Sequence, residues 1–141
     1  VVTQYVDKMI TEKMVIAIDF DGTCVKHRYP HVGEDIGAVP VLKKLVENGH
    51  KLILYTMRSS LDNGLNDALN WFRNNDIPLY GIQRNPTQDW TNSPKCFANL
   101  YIDDAALGIP LIHEDIISQN YDSYVDWKRV ELELKNLGVI K

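Results

Sequence analysis

Cysteine is scarce in this chain: Cys24 and Cys96 stand far apart and form no CxxC pair, so neither a disulfide framework nor a cysteine-based zinc site is indicated. Reduced thiols in a cytoplasmic protein are the expected state. No apolar run approaches the about 20 residues needed to span a bilayer, which excludes a transmembrane helix and leads us to expect a soluble protein with no membrane partner. Lysine and arginine form no cluster, and the net charge over 141 residues is −4. An electrostatic footprint for nucleic acid is therefore not expected. Residues 1–13 lack the basic start and apolar centre of a secretory signal. They read instead as an N-terminal helix or tail, with Tyr5, Val6, Met9 and Ile10 on one face of 3–12. No internal repeat and no low-complexity segment is present.

What the chain does have is 45% apolar residues, enough for one domain spanning 1–141 with a real core and too short a length for two. Its organising stretch is Val15-Ile16-Ala17-Ile18 followed by Asp19-Phe20-Asp21-Gly22-Thr23. Four small or β-branched apolar residues read as a strand buried on both faces, and the carboxylates come at its end. In an open parallel sheet the carboxyl ends of strands are where ligands bind, so Asp19 and Asp21 are expected at the mouth of a crevice. One residue apart on extended backbone, they point to different sides.

The remaining pattern alternates. Residues 24–38 turn polar, as in a loop or short hairpin over the site. A helix is predicted over 39–48 and a strand over 52–55, ending in Thr56, Met57 and Arg58. A helix comes next over 61–75, with Leu61, Leu65, Ala68, Leu69 and Phe72 at helical spacing, then a short strand over 79–82. After a polar loop, Ser93-Pro94 reads as the start of a brief helix carrying Lys95. Leu100-Tyr101-Ile102 forms a fourth strand ending in Asp103-Asp104, and 109–113 a fifth. Asp122 is expected to cap a last helix with Trp127, Val130, Leu134 and Leu137 inward and Gly138 at its end. Strands alternating with helices imply a parallel sheet with right-handed crossovers.

Asp19, Asp21, Thr56, Lys95, Asp103 and Asp104 thus fall in four connections expected to open at one sheet edge. Carboxylates so crowded repel unless a cation joins them, and an all-oxygen site suits Mg²⁺, which takes one or two carboxylates, waters and a phosphate oxygen. A phosphate would complete the charge balance, helped by Lys95. Arg58, Arg84, Trp90, His27, Arg28 and His31 are candidates for contacting the group beyond the phosphate, although each alone reads as an ordinary loop residue.

In order and in spacing, Asp19-Phe20-Asp21-Gly22-Thr23, Thr56, Lys95 and Asp103-Asp104 resemble the four motifs of the haloacid dehalogenase superfamily of phosphotransferases. The resemblance covers about 15–112. It implies a Rossmann-like three-layer α/β sandwich with a mostly parallel five-stranded sheet of order 5-4-1-2-3. It further implies that Asp19 is the nucleophile, attacking phosphorus to give an aspartyl-phosphate, and that Asp21 is the general acid and then the base. Mg²⁺ would be held by Asp19, the backbone carbonyl of Asp21 and Asp103, with Asp104 assisting or orienting Lys95. Thr56 and Lys95 would grip the phosphoryl oxygens. Neither 24–38 nor 83–94 is long enough for the folded cap found in many members, so a capless phosphatase is expected. Its expected substrate is a small phosphorylated metabolite, with an oligomer as one way of closing the crevice. A phosphoacceptor signalling domain and a catalytically silent interaction module are the competing readings.

Overall fold

The computed structural model describes residues 12–114 and 123–141. Its centre is a four-stranded parallel sheet of β1 (Val15–Ile18), β2 (Lys51–Leu54), β3 (Gly81–Ile82) and β4 (Leu100–Ile102), in the spatial order β3-β2-β1-β4. The strand carrying Asp19 therefore lies between those leading to Thr56 and Asp103. Ile18 pairs with Leu54 on one side and Ile102 on the other, so the three strands end level with one another. That register is what delivers residues 19, 56 and 103 to the same edge.

The crossovers are α1 (Ala38–Glu47) between β1 and β2, and α2 (Gly64–Asn74) between β2 and β3. Their stripes, Val41, Leu42 and Leu45 from α1 and Ala68, Trp71 and Phe72 from α2, join one core with Ile16, Ile18, Leu52, Leu54 and Ile102. Alternation along the strands places those sheet residues on one face. The last helix, α3 (Trp127–Asn136), adds Trp127, Val130 and Leu134 to the same core. Among the described residues no helix is long and apolar enough to cross a membrane.

Several expectations need correction. The fifth strand is not part of the main sheet: β5 (Leu111–His113) pairs antiparallel with β6 (Ser123–Val125) in a separate two-stranded ribbon, so the order 5-4-1-2-3 is not matched. Only 103–110 separates β4 from β5, and a parallel neighbour needs a crossover of about a dozen residues. The helix expected from residue 61 begins as a 3₁₀ turn, Leu61–Asn63, because Asp62 and Asn63 take left-handed backbone; α2 proper starts at Gly64. No helix forms at Ser93-Pro94. There the Gln88 side chain binds Lys95 O and Phe97 N, occupying backbone groups that a helix would use. The last helix is capped by Asp126, whose side chain accepts from Arg129 N. Asp122 and the N-terminal helix expected over 3–12, apart from the non-helical Glu12, lie outside the described residues. Leu137 is 57% exposed, and Val139 and Ile140, past Gly138, are buried in its stead.

No folded cap stands over the strand ends among the described residues. Residues 26–34 instead form a small flap, closed by Lys26 N donating to Glu34 O and by a bridge between Val25 and Asp35. Both cysteines are free and buried. Burial, reinforced by the charges of Asp19, Asp21 and Asp35, pushes the Cys24 thiol well up, which makes it a packing residue rather than a nucleophile.

Candidate active site

Asp19 comes directly after β1 and its N–H donates to Ile102 O at 3.0 Å, so the sheet ladder itself fixes its position. Asp103 stands in the same way directly after β4. Carboxylate oxygens of Asp19, Asp103 and Asp104 lie within 4.8 Å of one another. The buried Thr23 ties two of them together. Its hydroxyl lies 3.0 Å from Asp19 Oδ2 and 3.2 Å from Asp104 Oδ1, and accepts from Asp104 N at 3.0 Å. Thr23 is held in turn by Trp127 Nε1, which donates to its carbonyl at 2.6 Å. His27, from the flap, closes the other side of Asp104 with Nε2 to Oδ2 at 2.9 Å. Gly22 is required beneath this contact: its φ is +82°, and a Cβ there would fall 2.2 Å from His27 Nε2 and 2.6 Å from Asp104 Oδ2.

The electrostatics stem from this crowding. Burial first, then the hydrogen bond with Asp104 and the charge of Asp103, push Asp19 up to about 8. Burial opposes ionisation of Asp104 too, but its hydrogen bonds with Asp19, His27 and Thr23 hold it below the ordinary carboxylate range. Three hard oxygen donors whose neighbours are a hydroxyl, an imidazole and each other fit a small divalent cation, and Mg²⁺ by donor chemistry.

A proton-binding consequence can be checked directly. For Asp19 to join a cation near neutrality it must lose the proton that its environment retains, so metal binding should release close to one proton. The Mg²⁺ dissociation constant should rise about tenfold for each pH unit below 8. Calorimetric titration at pH 6, 7 and 8 in buffers of different ionisation enthalpy measures both quantities. A pH-independent affinity would remove Asp19 from the ligand set.

Asp21 is placed differently from the trio. Both of its oxygens accept from Arg58, Oδ2 from Nε and Oδ1 from Nη2, each at 2.8 Å. Arg58 is only 2% exposed. Its remaining N–H groups reach the carbonyls of His31 at 2.8 Å, Gly64 at 3.3 Å and Pro30 at 3.4 Å. Its guanidinium sits 5.1 Å from the Phe20 ring centre and 5.0 Å from that of Tyr29. All five donors of the fork are thus satisfied, and Arg58 cannot serve as a leaving-group contact in this arrangement.

Thr56 lies at the expected strand end. Its N–H donates to Gln83 Oε1 at 2.8 Å and its carbonyl accepts from Gln83 Nε2 at 2.7 Å, so an amide from the neighbouring strand end brackets it. Lys95 departs from expectation. Its ammonium is exposed and lies 5.9 Å from the Tyr101 ring centre, with no side-chain bond to Asp19, Asp103 or Asp104 among the described residues. Asp104 therefore orients His27 and Thr23 rather than Lys95.

No protein-family model and no curated protein matches the chain. A solved structure does: a conserved protein coded by a locus from Bacteroides thetaiotaomicron, 34% identical, with a TM-score of 0.70 over 89% of this chain and 92% of that one. The chain belongs to that protein's family. The match runs along nearly all of both chains, so neither member of this Bacteroides protein's family interrupts the other with an inserted domain.

Proposed function

We propose that this protein is a Mg²⁺-dependent phosphatase that hydrolyses a phosphate monoester through an aspartyl-phosphate on Asp19. The observation that carries the reading is the convergence of Asp19, Asp103 and Asp104 within 4.8 Å at the carboxyl edge of a parallel sheet. The haloacid dehalogenase-like order of motifs supports it. Asp19, Asp103 and Asp104 would hold the ion, which when bound supplies charge neutralisation for the phosphoryl oxygens. An Asp19 carboxylate oxygen attacks phosphorus, the ester oxygen departs with a proton from Asp21, and water deprotonated by Asp21 cleaves the acyl phosphate. To give or take that proton, Asp21 must open at least one of its two bonds to Arg58. Thr56 offers its hydroxyl to the phosphoryl group.

The locked Asp21, and a Lys95 with no side-chain bond to the three carboxylates among the described residues, favour one competitor, a catalytically silent module. Incubation with p-nitrophenyl phosphate and Mg²⁺ separates the readings. A phosphatase turns over repeatedly, stops in EDTA and is not restored by Ca²⁺, whose looser coordination misaligns in-line attack. Stoichiometric phosphorylation without turnover indicates a phosphoacceptor, and no reaction indicates the silent module.

A further inference from the structure

The loop after β3 forms a second feature, a cavity of about 430 Å³ lined by residues of 83–96 and linked to the strand ends through Gln83, whose side chain bonds the Thr56 backbone. Lys95, expected to bind phosphate, borders it, as does Gln83, which brackets the other expected phosphate contact, Thr56. The cavity walls are built, not incidental. Asn85 is buried, donates to Phe97 O at 3.1 Å and accepts from Thr87 N at 3.0 Å, while Gln88 clamps Lys95 O and Phe97 N. These amides are consumed in holding the loop. Arg84 and Lys95 are left over: neither side chain has a hydrogen bond or ion pair among the described residues, and no acidic residue lines the cavity. Asn92, Ser93 and Thr91 complete a polar rim.

We propose that this cavity is the leaving-group subsite and that it selects phosphate monoesters whose leaving group carries a second anionic group, a carboxylate or another phosphate. Two unpaired cations in a concave, acid-free wall favour an anion, and the volume suits a small metabolite rather than a polymer. The proposal rests on the phosphatase reading for its location and adds the substrate class. It also assigns a task to Lys95, which borders this cavity and makes no side-chain bond to the three carboxylates among the described residues.

The test uses the full chain with Mg²⁺ and compares three esters: glycerol phosphate, the corresponding phosphoglycerate, and a glycerol bisphosphate. A preference of about tenfold or more in kcat/KM for the two anionic esters over glycerol phosphate is expected, carried by KM. The two anionic arms tell carboxylate from phosphate recognition. Arg84→Ala should lower kcat/KM on the preferred ester about tenfold more than on p-nitrophenyl phosphate, and Arg84→Lys should recover part of the difference. Equal rates on charged and uncharged leaving groups, or an Arg84→Ala loss that is the same on every ester, would overturn the subsite.

Binding supplies an arm that does not depend on turnover. Trp90, 61% exposed and packed edge-to-face on Phe97 of this loop with ring centres 5.4 Å apart, reports occupancy by fluorescence. In Asp19→Asn, phosphoglycerate should bind more tightly than glycerol phosphate, and the added Arg84→Ala should remove the difference. If p-nitrophenyl phosphate is not hydrolysed by the wild-type chain yet this binding preference is found, the phosphatase reading fails and the anion subsite stands. No binding preference sinks the subsite whatever the activity.

Discussion

Asp19→Asn is expected to reduce Mg²⁺-dependent hydrolysis of p-nitrophenyl phosphate by about 10³-fold or more, while making the metal-free protein more stable at pH 8 than the wild type. The first effect arises because an amide is a poor nucleophile and takes one anion out of the trio. The second is a linkage effect. Asp19 is pushed up to about 8 in the folded chain from an ordinary 3.8, so between those values the folded state holds a proton that the unfolded state has lost. Wild-type stability in EDTA should therefore fall as pH rises from about 4 to 8. Asparagine does not titrate, keeps the size of the side chain and can still accept from Thr23, so that part of the slope should vanish. Steady-state kinetics with thermal melts at pH 5 and 8 checks both halves. Near wild-type turnover would remove Asp19 as nucleophile, and an unchanged pH slope would show that its charge is not what opposes folding.

The acidic half of the site is legible in the sequence because it is local. Val15-Ile16-Ala17-Ile18 can only be a short buried strand, and once β2 and β4 are recognised as similar strands, parallel pairing in register brings their carboxyl-terminal residues to one edge. Gln83 escapes a sequence reading as a site residue for the opposite reason: its partner comes from residue 56, so no spacing announces it, and the bonds of Thr23 and His27 to Asp104 are hidden in the same way. Arg58 carries a faint signal. It stands two residues after Thr56 at the strand end adjacent to the one bearing Asp21, where a carboxylate and a guanidinium are brought into reach, and Phe20 and Tyr29 offer ring faces on either side of Asp21.

Lys95 shows where motif order stops being informative. Its place in the sequence fits a phosphate-binding lysine, but what decides its position is the amide clamp of Gln88 and Asn85 on 95–97, which is invisible without the fold. The fifth strand fails on a length argument open to the sequence alone, since the link of 103–110 is too short to return parallel beside β4. Leu137 fails because the helix ends beneath it: after α3 the chain turns at Gly138 and sends Val139 and Ile140 into the core, where His50 Nε2 sits 2.6 Å from Val139 O.

Arg58→Ala is expected to cost about 3 kcal/mol or more of folding stability, the range seen when one partner of a buried ion pair is removed. For a chain of this length that amounts to a fall in Tm of roughly 10 °C. The size reflects the number of elements that meet at one side chain. The guanidinium joins the end of β1 through Asp21, the flap through Pro30 and His31, and the first turn of α2 through Gly64. Its removal leaves the Asp21 carboxylate, 16% exposed at the side chain, without its partner, and opens the space between Phe20 and Tyr29. Arg58→Lys should fall between, because an ammonium keeps the charge but cannot make the fork to both oxygens. Asp21→Asn should cost less in the Arg58→Ala background than in the wild type, since the pair is already broken. Urea unfolding of the four proteins gives the coupling directly. The same variants test catalysis. If Arg58 restrains Asp21 in proton transfer, Arg58→Lys should change kcat on aryl phosphates with poor leaving groups more than on those with good ones, an effect that loss of stability alone cannot produce. A Tm within about 2 °C of wild type for Arg58→Ala would mean that the flap and strand ends are held by other contacts.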